Sequence, residues 1–419
     1  MRAVRLLAAL CGLLLVAAVE AMPTTVPLPD VPVTLGTPTQ VESSAGIPLR
    51  VSLLTFAPGS VYWQRFGHNA VLIENTVSGA NAVYNYGMFD FFQKNFFLNF
   101  ARGHMLYRLD VDTLDRTLRV YASEGRWVYR QVLDLDAAQR LRIAEFLDRN
   151  AQPEHAEYRY DYFRDNCSTR VRDSIDATLG GVLKQQMQAE KTTVSYRFEA
   201  TRLVAPIPAL MAGMDLIMGP AGDPALNVWQ QSFVPEVFMQ ALRRTQIGGK
   251  PLVLQEGYLL ADARAPVAPA RPLNLLPLTL PLGLLLGIAV VLLAARRQQT
   301  WARLAFGGIA VTFWLLCTLG GVVMLAVWLL TAHWVMWANH NLLLLTPLAA
   351  ALLPAAFGSF RRQWQPKIWQ QRWSLALAAT ALLTLPLALL PGAQQHWQWI
   401  ALFLPLHLGL ALGLRRAAR

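Results

Sequence analysis

Cys167 is the residue from which chemistry is most readily built. It follows Asp165-Asn166, either of which makes a good N-cap, so the spacing predicts a helix opening at Cys167. Unsatisfied amides at a helix N-terminus favour negative charge, and a thiol held there is expected to ionise more easily. A thiolate nucleophile wants a base. His68 opens a predicted strand just after Phe66-Gly67, a position from which an imidazole can face a helix end across a cleft. A third polar group usually orients such a histidine, and the adjacent strand offers Tyr84, Asn85 and Tyr86, with Asn85 preferred. Asn166 beside the thiol is a candidate substrate contact. Arg170 and Arg172 suit a phosphate, although a solvated helix face accounts for them too. His104 and His155 have no ligand-like spacing with His68, so neither a metal nor another cofactor is expected.

The elements that must position these residues read as an α+β pattern. Alternating strands are predicted over 49–56, 66–74 and 82–87, with hairpin composition at 75–81. An aromatic helix over 91–100, a strand over 105–111, a helix over 112–122 and a strand over 127–133 follow. Asp136 then caps a helix reaching about residue 149. Residues 22–48 are rich in Pro, Thr and Ser and are expected to be an extended leader.

Composition places the rest of the chain in a membrane. A content of 54% apolar residues exceeds what soluble domains need. The net charge of +11 invites a nucleic-acid reading, but residues 21–273 hold 25 basic and 25 acidic side chains, leaving no basic face for phosphates. The excess lies in residues 274–419, with 10 basic residues and none acidic. Five apolar stretches there, 278–295, 306–330, 342–357, 375–391 and 399–414, approach the length that crosses a bilayer. Basic residues follow the first, third and fifth, whereas Thr331–Asn341 and Gly392–Trp397 carry neither Lys nor Arg. The positive-inside rule puts the neutral loops outside the cytoplasm, together with the soluble domain. Their His333, Asn339 and Asn341 are candidate lipid contacts, Trp334, Trp337 and Trp397 candidate interfacial anchors, and His407 an intramembrane site candidate.

The N-terminus has the charged start (Arg2, Arg5), the apolar run and the small residues around Glu20 of a secretory signal, whose removal would discard Cys11. The expected layout is a signal peptide over 1–21, the leader over 22–48, a thiol domain over 49–262, a Pro-rich linker over 263–277 and a membrane domain over 278–419. Cys167 and Cys317 then remain, too few and too differently placed for a disulfide framework.

Phe66-Gly67-His68-Asn69-Ala70, Tyr84-Asn85-Tyr86-Gly87 and Asp165-Asn166-Cys167-Ser168-Thr169-Arg170 together resemble the signature segments of Lnb-type lipoprotein N-acyltransferases. The resemblance is strong from residue 50 to about 175 and weaker at His333, Asn339 and Asn341. It implies a periplasmic, circularly permuted NlpC-like (papain-like) thiol domain joined to membrane helices in the bacterial inner membrane. It further implies Cys167 as nucleophile, His68 as base, a phospholipid as acyl donor and lipoproteins as acceptors, with the third catalytic position left open. The rival expectations are a cell-wall peptidase of the NlpC kind and a non-catalytic membrane assembly factor.

Overall fold

The computed structural model describes residues 48–89, 92–262, 264 and 267–418. The expected signal peptide with Cys11, and the leader up to residue 47, lie outside the described residues. β1 (Leu49–Phe56), β2 (His68–Asn75) and β3 (Asn81–Met88) come first, then α1 (Phe96–Arg102) and β4 (Leu106–Asp112). α2 (Leu114–Ser123), β5 (Val128–Leu133), α3 (Ala137–Asn150), β6 (Glu157–Arg159) and α4 (Cys167–Thr178) follow. After these come α5 (Tyr196–Val204), α6 (Pro208–Ile217), α7 (Pro235–Arg244) and β7 (Val253–Leu260).

The strands form one antiparallel sheet in the order β6-β4-β3-β2-β1-β5-β7. Side chains alternate between the faces of a strand, and that alternation splits the core in two. Val51, Leu53, Val71, Ile73, Tyr84 and Tyr86 face α3, α4 and α7. Leu54, Phe56, Ala70, Leu72 and Val83 face α2, where Leu118 and Tyr121 pack on them. Both faces of β1 are therefore covered. The result is a sheet-rich α+β domain, followed by a helical region.

That region begins with α8 (Leu276–Ala295) and α9 (Thr300–Leu330), then runs irregularly from Trp334 to Gly358 through short 3-10 turns, and ends in α10 (Ile368–Leu382) and α11 (Trp397–Ala417). Four segments are long and apolar enough to cross a membrane: 276–295, 300–330, 334–358 and 397–417. The stretch expected at 375–391 differs. It starts earlier, as α10, and breaks at Leu383 before the short helix Thr384–Ala388, because Pro386 denies the carbonyl of residue 382 its helical partner.

Irregular backbone is tolerated at membrane depth only where protein satisfies it. The Leu344 carbonyl, freed by the break in segment 334–358, lies 2.8 Å from His407 Nε2 and 3.5 Å from Cys317 Sγ. His407 thus has a structural partner at Nε2. α8 and α11 approach through glycine: a Cβ on Gly287 would fall 2.5 Å from the Pro405 carbonyl oxygen.

The described residues belong to a single compact unit, and α6 docks the sheet-rich domain on the helical region. Asn339 Nδ2 donates to the Leu216 and Ile217 carbonyls at 2.9 Å, Asn341 Nδ2 to Leu216 at 2.9 Å, and Gln394 Nε2 to the Met218 carbonyl at 3.1 Å. Asp215 accepts from Trp399 Nε1 at 2.7 Å and from Gln398, and pairs with Arg197 at 3.3 Å. Asp215→Ala would take one of two carboxylates from Arg197, which keeps Asp223 at 2.8 Å, and strip Gln398 and Trp399 of their acceptor. A buried donor left without its acceptor costs about 1–3 kcal/mol. Thermal unfolding in detergent should therefore show Asp215→Ala melting well below the wild type, and an unchanged midpoint would refute the docking role.

Candidate active site

The nucleophile's position is set by the cap of α4. Asn166 Oδ1 accepts from the Thr169 amide at 2.9 Å, and Thr169 Oγ1 accepts from the Asn166 amide at 2.7 Å, a reciprocal capping box. Asn166 Nδ2 donates to the Tyr162 and Phe233 carbonyls, so its side chain is fully spent on structure. Ser168 Oγ lies 2.8 Å from Asn69 Oδ1 and 2.6 Å from the Ser232 carbonyl, while Asn69 Nδ2 donates to Thr55 Oγ1 at 2.8 Å. These bonds tie α4 to β2 and β1. They bring the backbone amide of Asn69 to the Cys167 thiol, where the amides of Cys167 and Ser168 and the Tyr160 hydroxyl also reach it. On the other side Gly87, at φ +90°, leaves room that a side chain would take: its Cβ would lie 3.3 Å from Cys167 Cβ.

His68 starts β2 and stands opposite Phe56 of β1, with ring centroids 5.4 Å apart. Strand alternation turns its side chain toward the α2 face, whereas Cys167 belongs to the α4 face. What links the two is Asn69, which follows His68 at the start of β2 and reaches the thiol through its main chain. Among the described residues no hydrogen bond joins His68 to Cys167. His68 Nε2 lies 3.2 Å from Asn85 Oδ1, and Asn85 Nδ2 donates to the Val83 carbonyl at 3.2 Å, which fixes the amide's orientation. With Oδ1 as the acceptor, Nε2 carries the proton and Nδ1 holds the free lone pair.

Burial pushes the Cys167 thiol up to about 11, against the pull of the Asn69, Ser168 and Cys167 amides. The expectation of an easily ionised thiol fails here because desolvation outweighs the helix N-terminus. Burial also pushes His68 down to about 4, reinforced by the charge of Arg126 and opposed by the Asn85 bond. Thiol and imidazole are both neutral at rest.

Residues 42–204 match the family model of an Lnb N-terminal periplasmic domain. The match covers less than half of the chain and stops short of α6 and the membrane helices. No curated protein and no solved structure matches the chain. The periplasmic domain and the apolar segments together make this a membrane protein with a periplasmic domain.

The wall behind Cys167 is aromatic. Tyr160, whose hydroxyl reaches the thiol, stacks on Tyr107 with centroids 3.9 Å apart. Both rings, with Phe163, His333 and Trp334, line a cavity of about 50 Å³, so the space beside the Tyr160 ring reaches the loop that follows α9. It holds about one or two waters at ~30 Å³ each, and an acyl chain enters only if the walls part.

The remaining candidates are placed as follows. Arg170 pairs with Asp165 (Nη2 to Oδ2, 2.8 Å) and lies over the Tyr158 ring, facing an open polar groove with Arg164 and Asp173. Arg172 is held by Asp173 and the Trp229 carbonyl. His333 Nε2 sits 3.1 Å from the Phe100 carbonyl, and Asn339 and Asn341 clamp α6 rather than meeting the cavity. Trp334, expected at the bilayer interface, instead packs among Phe163, Tyr196 and Phe233 and donates to Asp161 at 2.7 Å. Sequence reasoning passed over Asn69, Ser168, Tyr160 and Gly87. The available signal was adjacency: Asn69 and Ser168 each border a chemical residue in the motif.

Proposed function

We propose that this chain is a membrane-bound thiol acyltransferase. It moves a fatty acyl group from a phospholipid ester, through a thioester on Cys167, to the N-terminal amine of diacylglyceryl-cysteine lipoproteins. The observation that carries the reading is the cavity joining the Tyr160 wall of the thiol to the loop Ala332–Met336 at the end of α9. A substrate dissolved in the bilayer reaches the nucleophile from that side. A cell-wall peptidase would need one anchor and an opening toward the periplasm.

His68 Nδ1 takes the thiol proton as Sγ attacks the ester carbonyl; the acyl–oxygen bond breaks, and the lysolipid oxygen leaves with that proton. The lipoprotein amine then attacks the thioester carbonyl, gives up a proton to His68, and expels the Cys167 thiolate, which recovers it. The amides of Asn69 and Ser168 are the donors for both oxyanions. Asn85 orients the imidazole, and the order histidine before cysteine is that of permuted papain-like domains.

Five crossings of the inner membrane fit this scheme. The neutral loops meet α6 of the periplasmic domain, while Arg297 donates to the Ala417 carbonyl at 2.7 Å and Arg303 to Phe360 at 3.0 Å, gathering the basic loops at the opposite, cytoplasmic end.

Purified protein incubated with phospholipid vesicles and no acceptor should accumulate a fatty-acyl adduct on Cys167, seen by mass spectrometry and released by neutral hydroxylamine. A peptide beginning with diacylglyceryl-cysteine should discharge it, and acetylating that peptide's α-amine should prevent discharge. Absence of any adduct, with cleavage of cell-wall peptides by the same preparation, would make the protein a peptidase.

A further inference from the structure

α1 exposes an unusual number of large apolar side chains for a helix outside the membrane. Phe97 is 78% exposed and Leu98 and Phe100 nearly half, and Phe92, just before the helix, is 95% exposed. A water-facing surface rarely gathers such residues. The place of α1 in the fold names what covers Phe97, Leu98 and Phe100. The Ala332 amide, two residues beyond α9, donates to the Arg102 carbonyl at 2.8 Å, and His333 Nε2 lies 3.1 Å from the Phe100 carbonyl. Gly103 closes the contact, since a Cβ there would come within 3.2 Å of His333. The last turn of α9 presents Leu329 and Leu330, 66% and 72% exposed, so the exposed apolar end of a membrane segment lies two residues from the contact with α1. Lys94 and Arg102 flank the phenylalanines and are exposed, as basic residues are where a helix lies at headgroup depth.

We infer that Phe92 and α1 lie in the bilayer leaflet facing the periplasmic domain, with Phe92, Phe97, Leu98 and Phe100 among the acyl chains and Lys94 and Arg102 at the phosphates. Phe100 and Gly103 also line the cavity beside Tyr160, so α1 sets the mouth of that cavity at the level of the lipid. The immersion of α1 rests on the membrane insertion of α9 and not on acyl transfer.

The test uses the full chain with Cys167→Ser and Cys317→Ala in nanodiscs of phosphatidylcholine and phosphatidylglycerol. A polarity-sensitive fluorophore is attached through Phe97→Cys and, separately, through Phe92→Cys in case the first disturbs insertion. Val77→Cys, 82% exposed in the turn between β2 and β3, is the water-facing reference. Lipids bearing a nitroxide high on the acyl chain should quench the fluorophore at position 97 or 92 several-fold more than at 77, and aqueous iodide should do the reverse. Iodide quenching at 97 and 92 equal to that at 77, without quenching by the nitroxide lipids, would overturn the inference. No turnover is read, so this result and the thioester result can fail separately.

Discussion

Cys167→Ala is expected to lower acyl transfer by on the order of 10⁶, the scale of loss when the nucleophile of a group acting as a unit is removed. Nothing else near the cavity can form the covalent intermediate. Cys317, the other described cysteine, is buried on α9 against the Leu344 carbonyl, so Cys317→Ala should keep most of the activity. The loss cannot be a folding defect if Cys167→Ser, which preserves the volume and the neighbouring amides, is equally inactive and melts with the wild type. The measurement is transfer of a labelled acyl chain to a diacylglyceryl-cysteine peptide, with the acyl-enzyme followed in parallel. A well-folded Cys167→Ala that retained most of its transfer would remove the thiol from the reaction and favour the assembly-factor reading.

Much of the sheet-rich domain was legible because its local rules agree with one another. The Asp136 capping box, the Asn166 cap and the alternation of β1 each restrict their own segment, and the structure places those elements within a residue or two of expectation. The thiol's acidity was not legible. A cap residue announces a helix N-terminus, but how deeply α4 is sunk against β2 and β3 depends on Gly87, Asn69 and Phe233, which lie far apart in the sequence. The setting of the loops 331–341 and 392–397 was hidden for a related reason. Trp, His and Asn at a membrane boundary look the same whether they meet lipid or a protein surface, and only the fold reveals that α6 occupies that surface. The docking segment 208–218 carried no motif because it works through the backbone carbonyls of Leu216, Ile217 and Met218 rather than particular side chains.

His68→Ala should cost about 10²–10⁴ in rate, the usual worth of a positioned general base, and the pH profile should tell how that base works. Burial holds the His68 imidazolium at about 4, so the neutral base is present throughout the neutral range. Protonation removes it only as the pH falls through that value. The kcat/KM profile should therefore be flat from about pH 5 upward and turn down near 4, in place of the limb near 6.5 that an unperturbed histidine gives. Asn85 acts through His68 and makes a separate prediction. Its hydrogen bond raises the imidazole pKa, so Asn85→Ala should reduce the rate and move the acid limb lower still. Asn85→Asp places a carboxylate at the same nitrogen and should lift the limb by about one to three pH units, because an adjacent opposite charge favours the imidazolium. A residue that merely supported the fold would change the rate or the stability without moving the limb in opposite directions in these two variants. If wild type, Asn85→Ala and Asn85→Asp all turned down at the same pH, His68 would not be the base that takes the Cys167 proton.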